Sequence, residues 1–302
     1  QYKKPSGVWI MAYTTIDNPE LFFQTKLFTG TGSELSVTLD GSENMQPDWV
    51  WIKDRQDTHL HNLFDSVRGV TKRIHSDTTD AESTHAESLK SFDSDGFTLG
   101  TQTNVNQSSH TNVSWNWKAG TSFSNDASAT SVGTIDSSGS VNTTAGFSII
   151  SYTGTGSAGT IAHGLGSVPA WILTKNRDAS QPWRIYQKAV DASAPEDYGL
   201  ILNNTTVRDN DNTAWNDTAP TSSVFSVGSS ANTNNGSDDF IAYCFAEKKG
   251  YSKFGSFVGN GNANGPFIYT GFKPAWVMIK ANDSENWIIF DNKRPGYNLT
   301  DA

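Results

Sequence analysis

The chain has almost no cysteine, no long apolar run and a deficit of basic charge, and each lack removes a class of protein. Its one cysteine, Cys244, stands inside the apolar string FIAYCFAE with no partner for an internal disulfide, so it reads as a small buried hydrophobe. No run approaches the roughly 20 apolar residues that a membrane-spanning helix needs, and nothing points to a membrane partner. Lys and Arg number 22 against 31 Asp and Glu, giving a net charge of −9 and a pI near 5.1. Nucleic-acid backbones are bound by clustered cations, so no nucleic-acid partner is expected. Helix formers never gather into a periodic apolar stripe; DAESTHAESLKSF (80–92) is the best helical candidate. In QYKKPSGVWIMAY two lysines precede an apolar patch of about six residues, too short for a signal sequence and without a small-residue cleavage site. It reads as a strand, and with no initiator Met the numbering is expected to begin inside a longer precursor.

What is present suits short strands joined by many turns: aromatics reach 12%, with ten Trp, beside abundant Gly, Ser, Thr and Asn. A repeat organises them. FTGTGS (28–33), YTGTGS (152–157) and FVGNGN (257–262) are one turn written three times. PDWVWIK (47–53), PAWILTK (169–175) and PAWVMIK (274–280) are a second anchor, followed by HNLFD (61–65), WRIYQ (183–187) and WIIFD (287–291). In the first two copies, GFTLG (96–100) answers VFSVG (224–228), and SWNWKA (114–119) answers AYCFAE (242–247). The organisation expected is an N-terminal strand in 1–21, a first module in 22–146 including a linker or hairpin, a second in 147–250, and the first half of a third in 251–302. GVWIMAYT (7–14) resembles the closing anchor AYCFAE and could end a preceding unit. The third copy stops before its second half, so either the sequence is a window on a longer chain or another subunit completes that module.

Alternation within the anchors points to strands. In PAWVMIK, Trp276, Met278 and Lys280 share one face and Val277 and Ile279 the other, so both faces are covered. In VSWNWKA only the face of Trp115 and Trp117 is apolar, as in a half-buried antiparallel strand. Pro47, Pro169 and Pro274 stand just ahead of strands, where a missing N–H costs least. About six to eight short strands per copy define an all-β fold of tandem antiparallel β-sandwich modules.

The frames PAWVMIK, NWIIFDNKR (286–294), WNDTAPTSSVFSVG (215–228) and FIAYCFAEKKGYSKFGSFVGNG (240–261) resemble a repeat family of tail and appendage proteins of marine bacteriophages, whose modules are concanavalin-like, lectin-type jelly rolls. The resemblance covers about residues 22–302. It implies a non-enzymatic virion structural protein of the tail-fibre type at the virion surface, with possible binding of host-surface polysaccharide, and carries over no catalytic residue. Partners implied are copies of the chain, with a trimer favoured, or neighbouring virion proteins. The alternatives are a capsid or filament coat protein without glycan binding and a glycan depolymerase. The first copy departs from the pattern at His61, where the others have Trp183 and Trp287.

Candidate chemistry is sparse. The paired glutamates of lectin-fold glycan hydrolases, E-x-D-x-x-E, do not occur, and Glu82 and Glu87 read as a solvated loop or helix end. His59 and His61 alternate as zinc ligands can, but lack a third ligand at a usual interval. Asp209 and Asp211, in RDNDNTAWND, are turn formers or calcium ligands. Trp215 with Asn216 and Asp211 could form an aromatic plate beside polar groups for a glycan, or Trp215 could plug the core. Trp49, Trp171, Trp276 and Met278 recur at or beside one anchor and are expected at module or subunit contacts. Beyond possible calcium, no cofactor is expected.

Overall fold

The computed structural model describes residues 13–294; the strand expected in GVWIMAYT therefore lies almost wholly outside the described residues. The fold is all-β, built of tandem antiparallel β-sandwich modules. Module 1 comprises β1 (Phe23–Thr29), β2 (Leu35–Thr38), β3 (Trp49–Asp54), β4 (Asn62–Asp65), β5 (Lys72–Arg73), β6 (Ser83–Thr84), β7 (Leu89–Asp93), β8 (Gly96–Leu99), the single-turn α1 (Thr103–Asn106) and β9 (Thr111–Trp117). Its inner sheet runs β1-β9-β3-β4 and its outer sheet β2-β8-β7. Between them lie Val37, Val50, Ile52, Phe64, Phe97 and Leu99, all buried.

A hairpin, β10 (Thr121–Asn125) and β11 (Ser137–Asn142) around α2 (Ala127–Thr130), follows. Of the two expectations for 121–146 the hairpin is the one formed, and β11 pairs with the first strand of module 2 rather than with module 1. Module 2 repeats the plan with β12 (Phe147–Thr153), β13 (Gly159–Ala162), β14 (Trp171–Asn176), β15 (Arg184–Gln187), β16 (Tyr198–Ile201), β17 (Asp209–Asn210), α3 (Asn212–Trp215), β18 (Val224–Val227), α4 (Ala231–Asn234) and β19 (Asp239–Phe245). Its inner sheet places β19 between β12 and β14, as β9 stands between β1 and β3. The registers correspond: Trp49 opposes Trp117 and Trp171 opposes Phe245. Module 3 contributes β20 (Trp276–Ile279) and β21 (Ile288–Asp291), which pair as β3 does with β4.

The helical candidate at 80–92 is instead β6, a turn and β7. Here Arg177 and Arg68 draw in Glu82, and the turn Asp93–Gly96 folds β7 onto β8, so tertiary pairing overrides a weak local preference.

The repeated TGTGS turn has a mechanical cause. Buried Asn106 of α1 accepts the Thr31 N–H at 2.8 Å and donates to the Ser33 and Gly100 carbonyls at 2.6 and 2.7 Å. Buried Asn234 of α4 does the same to Thr155 (2.8 Å), Ser157 (2.6 Å) and Gly228 (2.7 Å). The glycines are obligatory, since a Cβ on Gly30 or Gly154 would stand 2.2 or 2.1 Å from the carbonyl oxygen after the asparagine.

Candidate functional site

Each inner sheet has two apolar faces because each packs twice: outward against its own second layer, inward against the other modules. The inward faces merge into one core. It holds Trp49, Trp51, Trp115 and Trp117 from module 1, Phe147, Trp171, Trp183 and Tyr243 from module 2, and the half-buried Trp276, Met278 and Trp287 from module 3. Trp49 stacks on Tyr243 at 4.3 Å, and Trp276 meets Trp117 edge-on at 5.5 Å. Anchor strand thus faces the closing strand of the next module, from 1 to 2 and from 3 back to 1.

Three polar joints follow the same cyclic order. The indole of Trp183 donates to the His75 carbonyl of module 1 at 2.7 Å, and that of Trp287 to the Ile201 carbonyl of module 2 at 2.9 Å. The lysine ending the anchor frame does likewise: Lys175 donates to Thr79 O at 3.1 Å and Lys280 to Thr205 O at 3.2 Å. Burial pushes the Lys175 ammonium down to about 8. The third joint is a carboxylate with an arginine three residues on. Asp65 binds Arg68 and accepts the Tyr243 hydroxyl at 2.6 Å; Asp291 binds Arg294 and accepts the Trp115 indole at 3.1 Å.

The module 1–2 joint extends through Glu82. Expected in a solvated loop, it is instead nearly buried, 3.2 Å from Arg68 and 3.0 Å from Arg177 of module 2. Burial alone would raise its carboxyl, but hydrogen bonding to Arg177 and the charges of Arg68 and Arg177 outweigh that and hold it below the usual value. Sequence reasoning missed it because its cover comes from another module.

Trp49, Trp171, Trp276 and Met278 all lie in this shared core, at contacts between modules of one chain. The proposed sugar plate is not displayed: Trp215 is 2% exposed, edge-on to Tyr186, and offers no ring face to a ligand. Asn216 is the exposed left-handed cap of α3, and Asp211 caps its start through the Thr213 N–H at 3.0 Å. The calcium reading of Asp209 and Asp211 is likewise corrected. The buried guanidinium of Arg184 occupies the place of the cation, 2.7 Å from Asp209 and 3.2 Å from Asp211. His59 and His61 do not converge: His59 bonds Asp54 at 3.1 Å, while His61 accepts the Trp51 indole at 2.8 Å. Burial, with Lys53 and Arg294 nearby, pushes His61 down to about 3, so it stays neutral.

An open cleft of about 470 Å³ lies where module 1 meets the hairpin of module 2, flanked by half-buried Phe22 and Phe123 and edged by Lys118, Ser122 and Asn142. Its lining combines the phenyl side chains of Phe22 and Phe123 with hydroxyl, amide and ammonium groups.

The fold and these joints define a class: a tandem β-sandwich protein whose modules fuse through a common aromatic core. The chain belongs to the family described as a domain of unknown function (DUF7483), which matches residues 18–302. No curated protein and no solved structure matches it.

Proposed function

We propose that the chain is a non-enzymatic structural protein of a bacteriophage virion, of the tail-fibre or appendage type, displayed at the particle surface as a homo-oligomer. The observation that carries this reading is the repetition of the inter-module joints. Tryptophans, lysines and carboxylate–arginine pairs recurring from copy to copy lock modules to one another, which is the work of a rigid building block. The likeness of its frames to appendage repeats of marine phages supports the same reading. Host-surface polysaccharide is held in the cleft between Phe22 and Phe123, weakly per site and multiplied by the number of chains.

The test joins two measurements. Mass spectrometry of purified particles should find the chain as a stoichiometric component, and its absence there would sink the structural role. The isolated protein should be retained on host polysaccharide, and Phe123→Ala should abolish retention while a cooperative melt, at a somewhat lower temperature because the ring packs on the module 2 core, shows that the fold is kept. Presence on the particle without retention would favour the coat-protein alternative, and release of oligosaccharides the depolymerase.

A further inference from the structure

The eight-stranded sheet of module 2 and its hairpin ends in an edge that other edges of the molecule do not resemble. Its strands run β10-β11-β12-β19-β14-β15-β16-β17, so β10 and β17 are its two edges. An edge strand is a template for another chain, and proteins blunt such edges with short strands, charges, prolines or bulges. β17 is blunted: it is two residues long, and its Asp209 is held by Arg184 at 2.7 Å. So is β7, at the edge of module 1's outer sheet, which carries Lys90 and Asp93 and a register break between Leu89 and Ser91. β10 has none of these devices. Its sequence, TSFSN, holds no charge and no proline, and its register with β11 is unbroken. Thr121, Ser122 and Ser124 are exposed, and among the described residues no main-chain group of β10 bonds anything except β11.

We infer that β10 pairs antiparallel with the β10 of a second copy of this chain, joining two such sheets edge to edge across a two-fold axis rather than the three-fold of a trimer. This rests on the homo-oligomer in the proposed function and names the surface that builds it; the virion does not enter. Three features select a second copy. The first is register. In an antiparallel pair alternate residues aim both main-chain groups outward, so two copies bond only where residues of the same parity oppose each other. Centring the pair on Phe123 meets that condition and pairs every residue of the strand, whereas any other register of the same parity pairs fewer.

The second is side-chain complementarity. That register sets Phe123 beside the partner's Phe123 on one face and Ser122 beside the partner's Ser124 on the other. Aromatic and hydroxyl pairs of this kind stabilise neighbouring strands. The third is charge. Lys118 precedes the strand and Asp126 follows it, so an antiparallel pair brings opposite charges together at both ends, and a parallel pair would bring like charges together. The paired edge itself is neutral, which suits contact between two chains that each carry a net charge of −9. A two-fold contact of one strand with itself is isologous and closes, so it builds a dimer and not a filament.

The test is the oligomeric state, read by light scattering, of the full chain and of two variants: Ser122→Lys with Ser124→Lys, and Ser122→Glu with Ser124→Glu. The wild type is expected at twice the chain mass of 32.8 kDa. Each variant sets like charges directly opposite one another across the axis and is expected to be a monomer that melts cooperatively. Mixed in equal amounts, the two variants should recover the dimer, because each lysine then faces a glutamate. An oligomer that persists in the lysine variant overturns the inference and leaves the homo-oligomer to another surface, whereas a wild type that is monomeric at every concentration overturns both. In the unaltered dimer, hydrogen exchange should be slow at every amide of 121–125. Fast exchange at alternate amides of the strand, the mark of an open edge, overturns the inference whether or not the variants fold.

Discussion

At the scale of single residues, the core separates tryptophans that pack from tryptophans that also bond. Among the described residues the indole N–H groups of Trp49, Trp171, Trp215 and Trp276 have no acceptor, whereas those of Trp183 and Trp287 each hold a carbonyl of the preceding module. Trp183→Phe should therefore cost about 1–3 kcal/mol more than Trp49→Phe, because only the former strands a buried acceptor. Chemical denaturation of the two variants measures the difference, and equal losses would contradict the distinction. Arg68→Met should be costlier, about 3–5 kcal/mol, since it leaves Asp65 charged and buried with only its hydrogen-bond donors. None of this ranking was legible in the sequence, where the strings around these tryptophans do not reveal which indole finds an acceptor. Trp215 shows the limit best: a polar neighbourhood in sequence, DNDNT and Asn216, surrounds a ring buried in the core.

At the scale of elements, strands and turns were legible because alternation and glycine placement answer to local geometry. The anchor frames became β3, β14 and β20, and the DSDG string became the β7–β8 turn. The clamp behind the TGTGS turn was harder to see. Asn106 and Asn234 are distant from their turns in sequence, and only the parallel strings TNVNQSSH (103–110) and ANTNNGSD (231–238), each running directly into a closing strand, mark them. Asn234→Ala should unsatisfy Thr155 N–H and two carbonyls together and lower stability by about 1–3 kcal/mol. Hydrogen exchange at residues 154–157 should rise in that variant while 30–33 stays protected. Loss of protection at both turns would mean that the clamps do not act locally.

At the scale of the whole molecule, the joints make the modules depend on one another, and Glu82 gives that dependence a pH signature. Its carboxyl is held below the usual value in the folded chain, so its contribution is complete above the unfolded value of about 4.5 and fades as pH falls through the lower folded value. Wild type should lose stability across that acid window more steeply than Glu82→Gln, while the two slopes converge toward neutrality; thermal melts at stepped pH read the comparison. The cyclic order of the modules was invisible in the sequence, because the indole and ammonium joints end on main-chain oxygens that leave no trace in composition. That choice of acceptor matters for how such a molecule can change. His75 and Ile201 receive the same indole bond, and Thr79 and Thr205 receive the same ammonium. A carbonyl is present whatever side chain accompanies it, so the segments that carry these acceptors are free to diversify under selection while the ring they close keeps its geometry.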